Sequence, residues 1–242
     1  MQQALLDLQR FIEDISNDRR TGMKIFGSSG SGKTWLTRII EKEILAMKPE
    51  VLFIYTKVPK LEPTFQTVYR LGVQYLLDNH FDRIVQHIKD HGETNLTTWK
   101  KMIQDEDLAT AFGQYYSGTN RALAKKWLIG DKLSASELDE LKVTSSLDSE
   151  YDRFEMLTRI FQNMSSIFSD SLLVIDELEN APVKLAGQLS DSLRDILDTF
   201  AERFSLVVSF TAAKDSKPQY RRRPMIRRGN EHPTNATEQS IS

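Results

Sequence analysis

Apolar positions along this chain fall into short continuous runs and longer periodic stretches. Met23-Lys24-Ile25-Phe26 reads as a short strand. Val51 to Thr56 is a continuous β-rich run, the pattern of a strand covered on both faces. Pro59 and Pro63 end it. Ser171 to Ile175 is another buried strand, closing on Asp176 and Glu177, and Ser205 to Thr211 is a further one. Between these runs the spacing is helical. Leu5, Leu8, Ile12 and Ile15 share a face over residues 2–16, and Trp35 to Leu45 continues the pattern. Residues from Thr64 to about Tyr116 are helical, with breaks near Asn79 and His91-Gly92. Gly118 to Ile129 follows, then Ser134 and Glu137 at capping-box spacing before a short helix. Residues 150–168 form an amphipathic helix carrying Phe154, Leu157, Ile160, Phe161, Met164 and Phe168, and Leu185 to Phe204 is helical. No internal repeat is visible. Strands alternating with helices predict an α/β fold with a mainly parallel sheet and helices on both faces.

One loop turns this outline into chemistry. Gly27-Ser28-Ser29-Gly30-Ser31-Gly32-Lys33-Thr34 fits G-x-x-x-x-G-K-[ST] at every defined position, between a predicted strand and a predicted helix. The glycines let successive N–H groups curl around phosphate oxygens. The following helix points its positive end at the same phosphates. Lys33 is expected to reach the β- and γ-phosphates, and the Thr34 hydroxyl to ligate Mg²⁺. These features predict a three-layer P-loop NTPase domain over residues 1–213, with a helical insert at about 58–150 between its second and third strands. Residues 214–242 are expected to form a basic, flexible tail.

The acids after Leu172-Leu173-Val174-Ile175 emerge at the C-terminal end of their strand, where open α/β sheets bind ligands. Asp176 is expected to support Mg²⁺, through water or Thr34. Glu177 is expected to polarise a water for in-line attack on the γ-phosphate.

Loop and acidic strand together resemble the Walker A and Walker B motifs of the additional-strand ATPases, the group that includes AAA+ and STAND proteins. Glu177 beside Asp176 favours that group over GTPases and small-metabolite kinases. The resemblance implies a polar sensor residue at the end of the next strand; Thr211 is the first choice and Ser209 the second. Asn120 to Asp131 (with Trp127-Leu128-Ile129-Gly130), Leu141-Lys142-Val143 and Asp176-Glu177-Leu178-Glu179 resemble ATP-binding proteins of bacteriophage-exclusion (BREX-type) defence loci, which are similar to origin-recognition-like and STAND ATPases. The likeness covers roughly residues 20–213. It implies ATP rather than GTP, Mg²⁺, and ATP-driven assembly or remodelling with a protein partner or further copies, on DNA or in a defence complex. Such proteins continue into a helical lid with a sensor arginine. The Pro- and Arg-rich residues 212–242 cannot supply one, so the lid is expected to be missing. That favours a second class of function, a nucleotide-binding adaptor with little intrinsic turnover. A small-molecule kinase is a third.

The formal net charge of −2 gives no global attraction to nucleic acid or anionic membrane. Locally, Arg221, Arg222, Arg223, Arg227 and Arg228 put five arginines within eight residues. They are candidates for a nucleic-acid or partner contact, for an arginine finger, or for a solvated tail. Arg194 and Arg203 are alternative finger candidates. Cysteine is absent, which excludes disulfides, thiolate metal sites and cysteine nucleophiles. No apolar run approaches the ~18–20 residues that span a bilayer, and residues 1–7 lack the features of a signal peptide, so a cytoplasmic protein without membrane contact is expected. His87 and His91 share a helix face but lack the partners of a zinc site, and are expected to be solvated or partly buried. Trp35, Trp99 and Trp127, with Tyr115 and Tyr116, are expected to pack in the core or insert. No spacing suggests a Ser-His-Asp arrangement.

Overall fold

The computed structural model of the chain describes residues 2–17, 19, 21–61, 64–182, 187, 204–211 and 221–222. The four predicted strands all form: β1 (Gly22–Gly27), β2 (Val51–Lys57), β3 (Asp170–Asp176) and β4 (Phe204–Thr211). They make a parallel sheet in the order β2-β3-β4-β1. A two-residue strand, β5 (Arg221–Arg222), pairs antiparallel with Met23 and Lys24 at the open edge of β1. Every residue of β3 is buried, which is why its centre, Leu172 to Ile175, is continuously apolar rather than alternating.

Successive residues of a strand point to opposite faces, and the two faces have separate cores. On one face Ile25, Phe53, Val174 and Val207 pack with Phe11 and Ile15 of α1 (Gln2–Ser16) and with Ile40 and Ile44 of α2 (Lys33–Met47). On the other, Leu52, Ile54, Leu173, Ile175 and Val208 meet the helices that follow β2. These are α3 (Phe65–Asn79), α4 (Phe81–Asp90), α5 (Leu96–Met102), α6 (Glu106–Ser117), α7 (Arg121–Leu128), α8 (Ala135–Leu141) and α9 (Glu150–Met164). All seven lie between β2 and β3 in sequence, as the predicted insert does. At about 1.5–3 kcal/mol per large apolar side chain buried, both cores contribute substantially to holding the sheet between its helices.

Capping residues set the helix starts. Thr64, Asn95, Asp105, Ser134 and Ser149 each accept a hydrogen bond from the N–H three residues on. The Ser134–Glu137 capping box is formed as predicted, and Ser149 with Asp152 forms a second. The predicted breaks near Asn79 and His91-Gly92 are present. A further break at Ile103 to Asp105 separates α5 from α6, where Asp105 caps the new helix. The amphipathic helix ends at Met164, so Phe168 is buried from beyond its end. The helix expected over Leu185 to Phe204 lies largely outside the described residues; Phe204 itself opens β4. Among the described residues no helix is long and apolar enough to cross a membrane.

The Trp127-Leu128-Ile129-Gly130 segment is a structural corner of the insert. Trp127 and Leu128 are fully buried, and the Trp127 Nε1–H donates to Ser145 O at 2.8 Å. Gly130 has φ 76° and its carbonyl accepts from Arg153 Nε (3.2 Å) and Nη2 (3.1 Å). The Tyr69 hydroxyl donates to Leu128 O at 2.8 Å. A Cβ on residue 130 would stand 3.0 Å from both Arg153 Nε and Tyr69 Cε1. Trp99 and Tyr115 are buried as expected, but Trp35 is not: it is 67% exposed. The buried stripe of α2 runs through Leu36, Ile40 and Ile44, whereas Trp35 shares its helix row with Arg38 and Lys42.

Gly130→Ala is expected to destabilise the fold by ~1–3 kcal/mol, from the left-handed backbone and the two close approaches. Urea denaturation measures this; an unchanged midpoint would show that the corner tolerates a side chain.

Candidate functional site

The glycine loop leaves the C-terminal end of β1 and closes on itself. Ser31 N–H donates to Ser28 O at 3.1 Å. Gly30 and Gly32 have φ of 76° and 85°, with nothing within 4 Å of an added Cβ, so their requirement is for backbone freedom. Gly27 is different: a Cβ there would lie 2.3 Å from Ser31 Oγ, so the loop folds directly over it. Ser28, Ser29, Gly30, Ser31 and Gly32 are exposed. Lys33 Nζ donates to Gly27 O (3.0 Å) and Ser28 O (3.1 Å), bending the side chain back over the loop. Gly32 caps α2, and Leu36 N–H returns to Gly32 O at 2.9 Å; the N–H groups of the first helical turn have no earlier residue of the helix to donate to. Partial positive charge therefore gathers at an exposed loop that also carries a lysine.

Parallel pairing brings the ends of β3 and β4 beside this loop. Asp176, the last residue of β3, has no exposed surface. Its Oδ2 accepts from Thr34 Oγ1 (2.8 Å) and from the Tyr55 hydroxyl (2.9 Å). Its Oδ1 accepts from the Glu177 N–H (3.0 Å) and from the Ser209 hydroxyl. A carboxylate offers about four lone-pair sites, and all four are used. Burial alone pushes this carboxyl group up, but the hydrogen bonds from Ser209, Thr34 and Tyr55 outweigh it, holding the group below the usual carboxylate range. Tyr55 is driven far above its ordinary range, by burial first and then by its bond to Asp176, so the phenol remains a donor. The Arg38 guanidinium lies 4.2 Å over the Tyr55 ring. It also pairs with Glu41 at 2.7 Å, and the Tyr75 hydroxyl donates to the other Glu41 oxygen.

Glu177 turns the chain out of the sheet with φ 57°, one of two non-glycine residues in the left-handed region among those described. Such a residue is strained and persists only where its surroundings enforce it. Both of its carboxylate oxygens are engaged. Oε1 pairs with Lys57 Nζ at 2.8 Å, and Oε2 accepts from Asn180 Nδ2 at 3.0 Å. The ion pair with Glu177 holds the Lys57 ammonium above its ordinary range. Lys57 stands opposite Asp176 in the β2–β3 register, which brings its side chain to the next residue along.

The structure therefore brings together Thr34, Asp176, Glu177 and Ser209. Thr211 instead donates to Glu179. Arg221 and Arg222 are known by their backbone pairing to β1; Arg194, Arg203, Arg223, Arg227 and Arg228 lie outside the described residues. Sequence reasoning passed over Tyr55, Lys57, Arg38 and Asn180. Only a tyrosine and a lysine near the end of an otherwise apolar strand hinted at the first two.

The Thr34 hydroxyl, with the Asp176 carboxylate behind it, is a hard oxygen group of the kind that suits Mg²⁺, which takes few protein ligands when phosphate oxygens supply the rest. Among the described residues no three His, Cys, Asp or Glu side chains converge on a metal-sized site. His87 and His91 lie with ring centroids 4.4 Å apart and their planes tilted by 42°, and His91 Nδ1 is 2.8 Å from His87 O. A cleft of about 390 Å³ lies on the insert between Met102, Asp105, Arg159 and Asn163, and shares no residue with the loop or the acids. Comparison with protein-family models and with curated proteins finds no match for this chain.

Tyr55→Phe removes one donor from a buried carboxylate. It is expected to cost ~1.5–3 kcal/mol of stability by chemical denaturation. A loss below about 0.5 kcal/mol would mean that Asp176 is held without Tyr55.

Proposed function

We propose that this chain is a Mg²⁺-dependent P-loop ATPase, in which ATP binding and hydrolysis drive conformational switching or assembly. The observation that carries the reading is the 2.8 Å hydrogen bond from Thr34 to Asp176, which joins the glycine loop to the acidic strand across 142 residues of sequence. The strand order supports it as well. β4 lies between the strand that carries the loop and the strand that carries the acids, an arrangement consistent with the additional-strand group.

In this reading the loop amides and the first turn of α2 bind the β- and γ-phosphates. Lys33 leaves the carbonyls of Gly27 and Ser28 to neutralise phosphate charge. Thr34 would ligate Mg²⁺ and Asp176 would support it through Thr34 or a water; the ion would supply charge to offset that developing on the phosphates. Glu177 orients the attacking water and accepts its proton as the water oxygen bonds the γ-phosphorus and the bond to the β,γ-bridging oxygen breaks, releasing ADP and phosphate; Ser209 fixes Asp176 from β4. A protein partner or further copies of the chain complete the assembly. A place in a DNA-associated or phage-defence complex rests on the resemblance of residues 120–131, 141–143 and 176–179. The cytoplasm is the compartment we infer.

One observation favours a second reading, an adaptor that binds nucleotide and barely turns over. Lys57 and Asn180 each hold one Glu177 oxygen, so any water has to share a carboxylate that is already paired with a cation.

Lys33→Ala is expected to lower ATP affinity at least tenfold, as measured by calorimetry; unchanged affinity would remove the phosphate-loop assignment. Steady-state phosphate release separates the two readings, using the native chain, Glu177→Gln and Lys57→Met, each checked for ATP binding. Hydrolysis predicts turnover by the native chain and a loss of about 10²–10⁴-fold in Glu177→Gln. The adaptor reading predicts binding without turnover in the native chain, with turnover appearing in Lys57→Met. Binding without turnover in all three would leave a switch module that awaits a lid or finger from a partner, and would remove the Lys57 pairing as the cause of its silence.

A further inference from the structure

We infer that Trp35 is the platform on which the base of a bound purine nucleotide stacks, an inference that rests on the phosphate-loop reading above. Its indole is 67% exposed, while the other two tryptophans, Trp99 and Trp127, are fully buried. Burying an indole is strongly favourable, so a tryptophan left in water beside a ligand loop invites a partner surface.

Position identifies the partner. Trp35 follows Thr34 in the first turn of α2, and its N–H belongs to the group that faces the exposed loop. Side chains of a helix lean toward its N-terminus and cover the turn before their own Cα. The indole therefore leans toward the rim of the loop. One residue turns a helix by about 100°, so Trp35 leaves α2 on a different side from Thr34, whose hydroxyl is committed to Asp176. A triphosphate whose γ-end lies by Thr34 and the acids runs away from them toward its nucleoside.

The helix neighbours of the indole are engaged elsewhere. Arg38, at i+3, stacks on Tyr55 and pairs with Glu41. Ile39, at i+4, packs against the core beneath α2. Neither serves as a cover for Trp35. A flat indole grips any purine through its π-face and reads no donor or acceptor on the base edge. The ligand class is a nucleoside triphosphate; the larger π-face of a purine stacks more strongly than that of a pyrimidine, with little discrimination between adenine and guanine by this contact.

The test measures Mg²⁺-dependent binding of ATP and of inorganic tripolyphosphate, which has phosphates but no base, by calorimetry. Native chain, Trp35→Ala and Trp35→Phe are compared. Trp35→Ala is expected to weaken ATP about tenfold and leave tripolyphosphate unchanged, and Trp35→Phe to keep most of the native ATP affinity. In the native chain, ATP should quench the fluorescence of the exposed indole and tripolyphosphate should not. Because residue 35 is exposed, its truncation leaves the core intact. Equal ATP affinity in native chain and Trp35→Ala overturns the inference, as does a native chain that binds ATP no more tightly than tripolyphosphate; both leave the phosphate loop standing. A native chain that binds neither ligand overturns the phosphate-loop reading and this inference together.

Discussion

The fully buried carboxylate of Asp176 is the constraint around which the site is arranged. A charge without exposed surface costs several kcal/mol unless it is satisfied by donors. Here the donors come from four places: the start of α2, β2, β4 and the backbone of the next residue. Each bond fixes one element relative to the end of β3. Thr34 ties down the helix after the glycine loop, Tyr55 ties β2, and Ser209 ties β4. Losing any one leaves a buried acceptor short of a partner, so loop, sheet end and acids are held together. The same saturation leaves the carboxylate without a spare lone pair, and any ligand that engages Asp176 has to exchange with a donor already there.

Two bodies of helices serve this arrangement differently. α1 and α2 cover one face of the sheet, and α2 carries the loop at its start. The seven helices between β2 and β3 cover the other face and build the larger core. Parallel neighbours such as β2 and β3 need a long crossover, and this chain supplies it as a packed helical body rather than a single helix. Its corner at Gly130 joins α3, α7 and α9 through Tyr69, Leu128 and Arg153. Tyr75 of α3 also reaches Glu41 of α2, which pairs with the arginine lying on Tyr55. A continuous chain of contacts thus runs from the insert to the carboxylate at the centre of the site.

Glu177 is the other consequence of that centre. Its backbone N–H is claimed by Asp176 and Ser209, and its φ is positive. Its side chain is steadied by Lys57 and Asn180. The turn that points the second acid out of the sheet is therefore held at both backbone and side chain, which keeps a strained residue in place.

Much of this was legible in the sequence because it is encoded locally. Strand runs announce burial on two faces, helix rows announce a single apolar stripe, and Ser134 with Glu137 announces a helix start. The glycine loop is legible because positive φ at Gly30 and Gly32, and the Ser31 side chain over Gly27, restrict residue type there. Other features depended on residues far apart in the chain. That Tyr55 meets Asp176, and that Lys57 meets Glu177, follows from the register of β2 on β3, which no local pattern specifies. That Ser209 rather than Thr211 reaches Asp176 depends on how far β4 advances beside β3. The chemistry of Trp35 predicts burial, whereas its helix row with Arg38 and Lys42 points outward, and the row decides. The sequence by itself determined the elements, the loop and the order of the acids, because those are properties of neighbouring residues. Only the tertiary structure decided which side chains saturate the buried carboxylate and which indole is left in water, because both depend on what packs across the sheet.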